Sequence, residues 1–160
     1  MFFRALTALL VLPGLVTGLV PYLLFLTDPW RGEGYTLGLL VMAAGLFLLL
    51  WCVRDFYKSG KGTLAPWSPP KHLVIVGLYG FCRNPMYLGV LVLVFGEAVF
   101  SASPLLVCYL AVLIFSFHLR VILYEEPQLS KLFGVDWESY SSSVHRWLPS
   151  YTILKDKITS

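Results

Sequence analysis

The chain has 160 residues, enough for one domain. Hydrophobic residues make up 58% and charged residues 13%, against about 45–50% and about 25% in an ordinary soluble domain, and the mean hydropathy is +0.75. A globule of this size cannot hide so much apolar surface from water. That excludes an ordinary soluble enzyme, a disordered chain and a nucleic-acid binder of the usual basic kind, and with a net charge of only +3 the placement of charge matters more than its sum.

Four apolar stretches follow one another. Residues 5–26 and 36–53 carry no charge, 85–102 carries only Glu97, and 104–124 carries His118 and Arg120 near its end. Each approaches the roughly 17–25 residues a helix needs to cross a bilayer. The first run is longer than a signal-peptide core and no A-x-A-like cleavage site follows it. Pro13-Gly14 and Pro21 are expected to kink it. Four spans put both termini on one side, which then holds eleven of the twelve Lys and Arg, the other side holding Arg31 alone. The positive-inside rule places the termini and the 54–84 loop in the cytoplasm. The three cysteines, Cys52, Cys82 and Cys108, have spacings of neither a disulfide framework nor a zinc site.

The 54–84 loop contains Gly60, Gly62, Pro66, Pro69 and Pro70 but also Trp67, Leu73, Val74, Leu78, Tyr79 and Phe81. It reads as an ordered cap on the cytoplasmic mouth of the bundle, or as an interfacial aromatic anchor. Arg83-Asn84-Pro85 reads as a helix start, with Asn84 a good N-cap and Pro85 suited to the first helical position. Such a start with Arg83 beside it is an anion site, or simply a snorkelling Arg next to a capped helix. His118 lies about seven residues from the end of its run, roughly 10 Å deep at about 1.5 Å per residue. An ionisable group at that depth faces a polar cavity or a partner helix. Glu125-Glu126-Pro127 either opens the next helix or faces a cationic or hydroxyl-bearing ligand. In the tail, residues 127–148, Leu129, Leu132 and Phe133 define one amphipathic helix. Asp136 is expected to cap a second, with Trp137, Tyr140, Val144 and Trp147 on one face. No P-loop, GxGxxG, HExxH or GxSxG occurs.

Gly77-Leu78-Tyr79, Arg83-Asn84-Pro85-Met86-Tyr87-Leu88-Gly89, Glu125-Glu126-Pro127-x-Leu129, Phe133-Gly134-x-x-Trp137-x-x-Tyr140 and Val144-x-Arg146-x-Leu148-Pro149 come in a fixed order over residues 60–150. This ordered set resembles the isoprenylcysteine carboxyl methyltransferase family and the related phospholipid methyltransferases, and Pro69-Pro70-Lys71-x-Leu73-Val74 is similar to bacterial members. The resemblance implies an all-α, four-span methyltransferase, multi-pass in a bacterial inner membrane. It would use S-adenosylmethionine on a lipophilic acceptor drawn from the bilayer, without a metal or a nucleic-acid partner. It further implies cofactor contacts by Leu73, Val74, Gly77, Tyr79, Arg83, Asn84, Pro85, Tyr87, Glu125 and Glu126, with His118 and Arg146 as neighbours. Arg83, Glu126 and His118 become the catalytic candidates. Where the family most often has His, this chain has Asn84, which cannot titrate; His145 stands where Pro is common.

The implied chemistry agrees with the residue types. A zwitterionic methionine tail wants the charge of Arg83, and its ammonium and ribose hydroxyls want Glu125 and Glu126. A carboxylate acceptor needs no base, whereas an amine must lose a proton, for which Glu126 or His118 is placed. Carboxyl methylation of the isoprenylcysteine type is the nearest activity. Phospholipid or small-molecule methylation and a non-catalytic membrane relative remain as alternatives.

Overall fold

The computed structural model describes residues 13–60 and 72–150. The first part of the 5–26 run and the stretch 61–71, with Pro66, Trp67, Pro69, Pro70 and Lys71, lie outside the described residues. Among the described residues every regular element is helical. Helix α1 is Leu15–Thr27, α2 is Leu37–Gly60, α3 is Pro85–Ser101 and α4 is Pro104–Arg120. A π-helical turn, Val121–Glu125, joins α4 without a break to α5, Glu126–Phe133, and α6 is Val135–Ser143. A 3₁₀ turn, Gly77–Gly80, sits between α2 and α3.

Two helices, Leu37–Phe56 and Pro104–Phe133, are long and apolar enough to cross a bilayer, and α1 and α3 are shorter apolar helices. The core helix of a soluble protein would be mostly buried, yet only 22% and 17% of the two long apolar windows are buried. Leu40, Phe47 and Leu50 on α2, and Val107, Val112 and Phe115 on α4, are exposed. An all-helical bundle with that surface belongs in hydrocarbon: the chain is a membrane protein.

The helix ends follow local chemistry. Within α1, Pro21 has no N–H for the preceding turn, and the π-helical turn Leu15–Leu19 directly before Val20 absorbs the loss. Tyr109 of α4 donates to the carbonyl of Val16 in that turn at 3.0 Å. Helix α3 stops at Ser101 because Ala102 turns left-handed, with φ 45°. Ser103 then caps α4 by accepting from Leu106 N at 3.3 Å. On the same side Asp28, nearly fully buried, accepts from the Ser103 hydroxyl and from the amides of Trp30 and Leu105 at 2.9 and 3.1 Å. Burial pushes its carboxyl up, and these donors outweigh burial and hold it below its ordinary value.

The largest helix contact is α2 against α3, and glycines on both helices bring the backbones together. A Cβ on Gly45 would stand 2.5 Å from Leu93 N, one on Gly96 2.5 Å from Met42 N, and one on Gly89 2.9 Å from Leu49 N. On Gly38 it would strike the Phe100 amide. The pairs 38/45 and 89/96 are each seven residues apart, two turns, so they line one stripe on each helix. Lipid tails are as apolar as leucine, so helix association in a membrane rests on close packing of small residues of this kind.

Gly45→Leu and Gly96→Leu therefore drive a side chain into partner backbone, at a cost of about 1–3 kcal/mol or more. Each is expected to lower the thermal unfolding midpoint in detergent, whereas Gly18→Ala, with nothing among the described residues within 4 Å of the new Cβ, is expected to leave it nearly unchanged.

Candidate active site

The charged residues gather where the start of α3, the α4–α5 junction and the segment after α6 meet. Arg83 lies two residues before α3. Its Nη1 is 3.1 Å from Glu126 Oε1, and its guanidinium carbon is 5.6 Å from the centre of the Trp137 ring. Arg146 grips the same carboxylate with both arms, Nε to Oε1 at 2.7 Å and Nη2 to Oε2 at 2.8 Å. A planar guanidinium and a carboxylate match in this fork. Hydrogen bonding to Glu126 raises the Arg146 guanidinium further above its already high ordinary value, against a smaller opposing effect of burial.

Glu125 points elsewhere. Its Oε1 accepts from the Tyr87 hydroxyl and from Arg120 Nε, the latter at 2.8 Å. Arg120 and Glu125 are five residues apart. In an α-helix they would face away from each other, since only i+3 and i+4 positions align. The π-helical turn Val121–Glu125 widens the spiral so that i and i+5 stack. It thereby sends two successive glutamates to two different cationic partners. Three guanidiniums against two carboxylates leave the group of five with one net positive charge.

Behind α6 the chain leaves the helix through Val144, whose backbone is extended, and pairs with the residues before α3. Arg83 N donates to His145 O at 2.9 Å and Ser150 N to Phe81 O at 2.7 Å. The Asn84 amide donates to Arg146 O at 3.1 Å, and the Cys82 thiol to the same oxygen at 3.3 Å. Asn84 does occupy the N-cap position with Pro85 opening the helix, but its side chain makes no cap bond; it anchors the strap that carries Arg146. Trp147 does not continue the face of α6, which ends at Ser143. Its indole donates to His118 Nδ1 at 3.1 Å, and its ring lies 6.4 Å from that of Tyr87. Asp136 falls in the first turn of α6, whose cap position is Gly134 with φ 50°.

The remaining sequence-derived candidates lie in the segment between α2 and α3 and pack against α2 and α6. Leu73 packs on the buried cluster of Trp137, Tyr140 and Val144. Val74 and Tyr79 pack on Cys52 of α2. Tyr140 donates its hydroxyl to Tyr79 O at 2.7 Å, fixing the 3₁₀ turn to α6. Burial pushes the Tyr79, Tyr140 and Cys82 groups up, so all three stay protonated at neutral pH and serve as donors or packing. Gly77, with φ 59°, faces α2: a Cβ there would collide with Asp55 Oδ2. Asp55 itself is buried, and among the described residues its Oδ2 has no hydrogen-bond partner.

The sequence therefore pointed to Arg83, Tyr87, Glu125 and Glu126, which the fold draws into two linked clusters, and to His118 beside them. It missed Trp147 as the partner of His118, Arg120 as the partner of Glu125, and Asp55. No local signal singles these out, because each partner arrives from another segment or through a widened turn.

A helical membrane protein with its polar groups converging at one end of the bundle is the class that fold and site define. Residues 34–136, well over half of the chain, match the phospholipid methyltransferase family, and the chain belongs to it. It is 34% identical over 77 residues to a probable protein-S-isoprenylcysteine O-methyltransferase of Oryza sativa subsp. indica, covering 48% of this chain and 40% of the relative. It is 35% identical over 77 residues to protein-S-isoprenylcysteine O-methyltransferase A of Arabidopsis thaliana, covering 48% and 39%. The chain thus spans about two fifths of the length of these curated relatives. No solved structure matches it.

Glu126→Gln removes one charge from the clamp and leaves Arg83 and Arg146 facing a neutral amide. At about 1.5–3 kcal/mol for hydrogen bonds to charged groups, the thermal midpoint in detergent is expected to fall. Arg146→Lys, which cannot form the fork, is expected to lower it by a smaller step.

Proposed function

We propose that the chain transfers a methyl group from S-adenosylmethionine to a lipophilic acceptor at the cytoplasmic face of a membrane. Isoprenylcysteine-type carboxyl methylation is the closest reaction. The observation that carries this reading is the Arg83–Glu126–Arg146 clamp in a chain of this family.

The fit of the cofactor can be tested on the clamp's spare valences. Among the described residues Arg83 Nε is buried without a hydrogen-bond partner, so one cationic N–H is left to donate. Glu126 Oε2 accepts a single bond, so a lone pair is left to accept. A free donor and a free acceptor beside a net positive charge complement the carboxylate and ammonium of an amino-acid tail. In this reading Arg83 and Arg146 hold the carboxylate and Glu126 the ammonium. Glu125, Tyr87 and Asn84 lie alongside, and Leu73, Val74, Gly77, Tyr79 and Pro85 form the surround. S-adenosylmethionine, when bound, supplies an activated methyl group on a sulfonium. The residues of the chain then have to position the acceptor and keep water out.

The same reading has α1 to α4 as four spans, both termini cytoplasmic, and the acceptor arriving from the lipid side, where α2 and α4 expose apolar faces. A second reading, N-methylation of an aminophospholipid, takes its support from the match to the phospholipid methyltransferase family.

Calorimetric titration of the detergent-solubilised protein with S-adenosylmethionine tests the site. Binding is expected, weakened roughly 10- to 150-fold by Arg83→Ala, the worth of one hydrogen bond to a charged group; equal affinity in wild type and variant overturns the assignment. A radiolabelled-methyl assay with N-acetyl-S-farnesylcysteine and with phosphatidylethanolamine separates the readings, label in a base-labile ester of the first being the expected result.

A further inference from the structure

His118 is the catalytic candidate with the most sharply defined surroundings. Its Nδ1 lies 3.1 Å from Trp147 Nε1. An indole N–H can only donate, so Nδ1 is the acceptor and carries no proton. The ring proton of a neutral imidazole is then on Nε2. An imidazolium, with protons on both nitrogens, would set two donors face to face. Among the described residues Nε2 has no hydrogen-bond partner, and it is not among the fully buried polar atoms left unpaired. Nε2 is therefore free to donate to an acceptor that reaches it.

Trp147 is itself held firmly. The residues on its N-terminal side are tied by Arg83 N to His145 O and by Asn84 Nδ2 to Arg146 O, and Ser150 closes the other side on Phe81. Its ring lies 6.2 Å from His118, inclined by 32°, and also neighbours Tyr87, which packs 4.5 Å from Phe117. The strap that delivers Arg146 to Glu126 thus delivers Trp147 to His118.

We propose that Trp147 is a positioning residue that holds His118 as the neutral tautomer with its proton on Nε2, so that His118 meets the acceptor as a hydrogen-bond donor and not as a base. The proposal rests on the methyltransferase reading and narrows its acceptor. A carboxylate has no proton to lose: one of its oxygens forms the new O–C bond with a lone pair as the C–S bond breaks, the C–S electrons stay with sulfur, and His118 Nε2–H can hold the other oxygen. An amine acceptor would have to shed a proton, and the only lone pair of His118 is engaged by Trp147. His118 accordingly suits an anionic oxygen nucleophile, and an amine would have to give its proton to Glu126 instead.

The tautomer is read directly from the ¹⁵N shifts of His118 in detergent-solubilised protein with labelled histidine. The wild type is expected to give a pyridine-type Nδ1 and a pyrrole-type Nε2. Trp147→Phe, which keeps an aromatic ring but lacks the N–H, is expected to move both toward a tautomer mixture. A proton on Nδ1 in the wild type, or an unchanged pattern in Trp147→Phe, overturns the proposal. In the N-acetyl-S-farnesylcysteine assay, Trp147→Phe is expected to lower kcat/KM for the acceptor about 2- to 10-fold, the worth of one neutral hydrogen bond, with S-adenosylmethionine affinity unchanged. His118→Gln, whose amide donates but cannot take up a proton, is expected to stay within about tenfold of wild type; a loss of about 100-fold or more, the scale of a missing general base, overturns the donor role. A wild type that methylates neither acceptor would instead sink the methyltransferase reading, while the tautomer measurement still stands.

Discussion

The contact on which the rest of the molecule depends is the approach of α2 to α3 at backbone distance. In water, two apolar helices would be driven together by burying surface. In a bilayer that drive is absent, and the helices must gain from dispersion across a tight seam. Gly38, Gly45, Gly89 and Gly96 make the seam possible because a Cβ at any of them would meet partner backbone. Once α2 and α3 are locked, the outer faces are free to be uniformly apolar, and both helices can serve as walls against lipid.

That seam also sets the stage for the polar end. The segment between α2 and α3 is anchored at Cys52, Val74 and Tyr79, and Tyr140 ties the turn at Tyr79 to α6. Arg83 is thereby delivered to the start of α3 in a fixed place. Glu126 comes from the α4–α5 junction and Arg146 from the strap, so one carboxylate links three segments distant in sequence. The clamp is partly buried: the side chain of Arg83 is only 13% exposed and that of Glu126 17%. Charges so placed are worth more than surface pairs and are correspondingly intolerant of a missing partner. Three guanidiniums against two carboxylates leave this network near balance, with one surplus positive charge.

The π-helical turn and the strap divide the labour. The turn splits adjacent glutamates between two sets of partners. The strap brings in a guanidinium for one cluster and an indole for the aromatic group next to it. Neither adds hydrophobic core of consequence, and both are features of backbone path that place polar atoms.

Much was legible in the sequence. Apolar run length alone gave the helices, because in a bilayer the backbone must satisfy itself, and four apolar runs return as α1 to α4. The ordered motifs gave the family, and the charged residues within them mark the end of the bundle where the site lies. The pairings were not legible. Arg120 read only as a charge near the end of its apolar run and became the partner of Glu125, because a π-helical turn leaves no trace in a 3.6-residue period. Asn84 read as a helix cap and became the anchor of Arg146, because a long-range acceptor outcompeted the local amide. Trp147 read as one more apolar face residue and became the donor to His118, because the helix stopped four residues earlier. Composition and run length therefore determined that the chain is a helical membrane protein, since the bilayer acts on every residue alike. Which charge meets which, and which nitrogen of His118 is free, only the tertiary structure decided, since those depend on single hydrogen bonds between segments far apart in the chain.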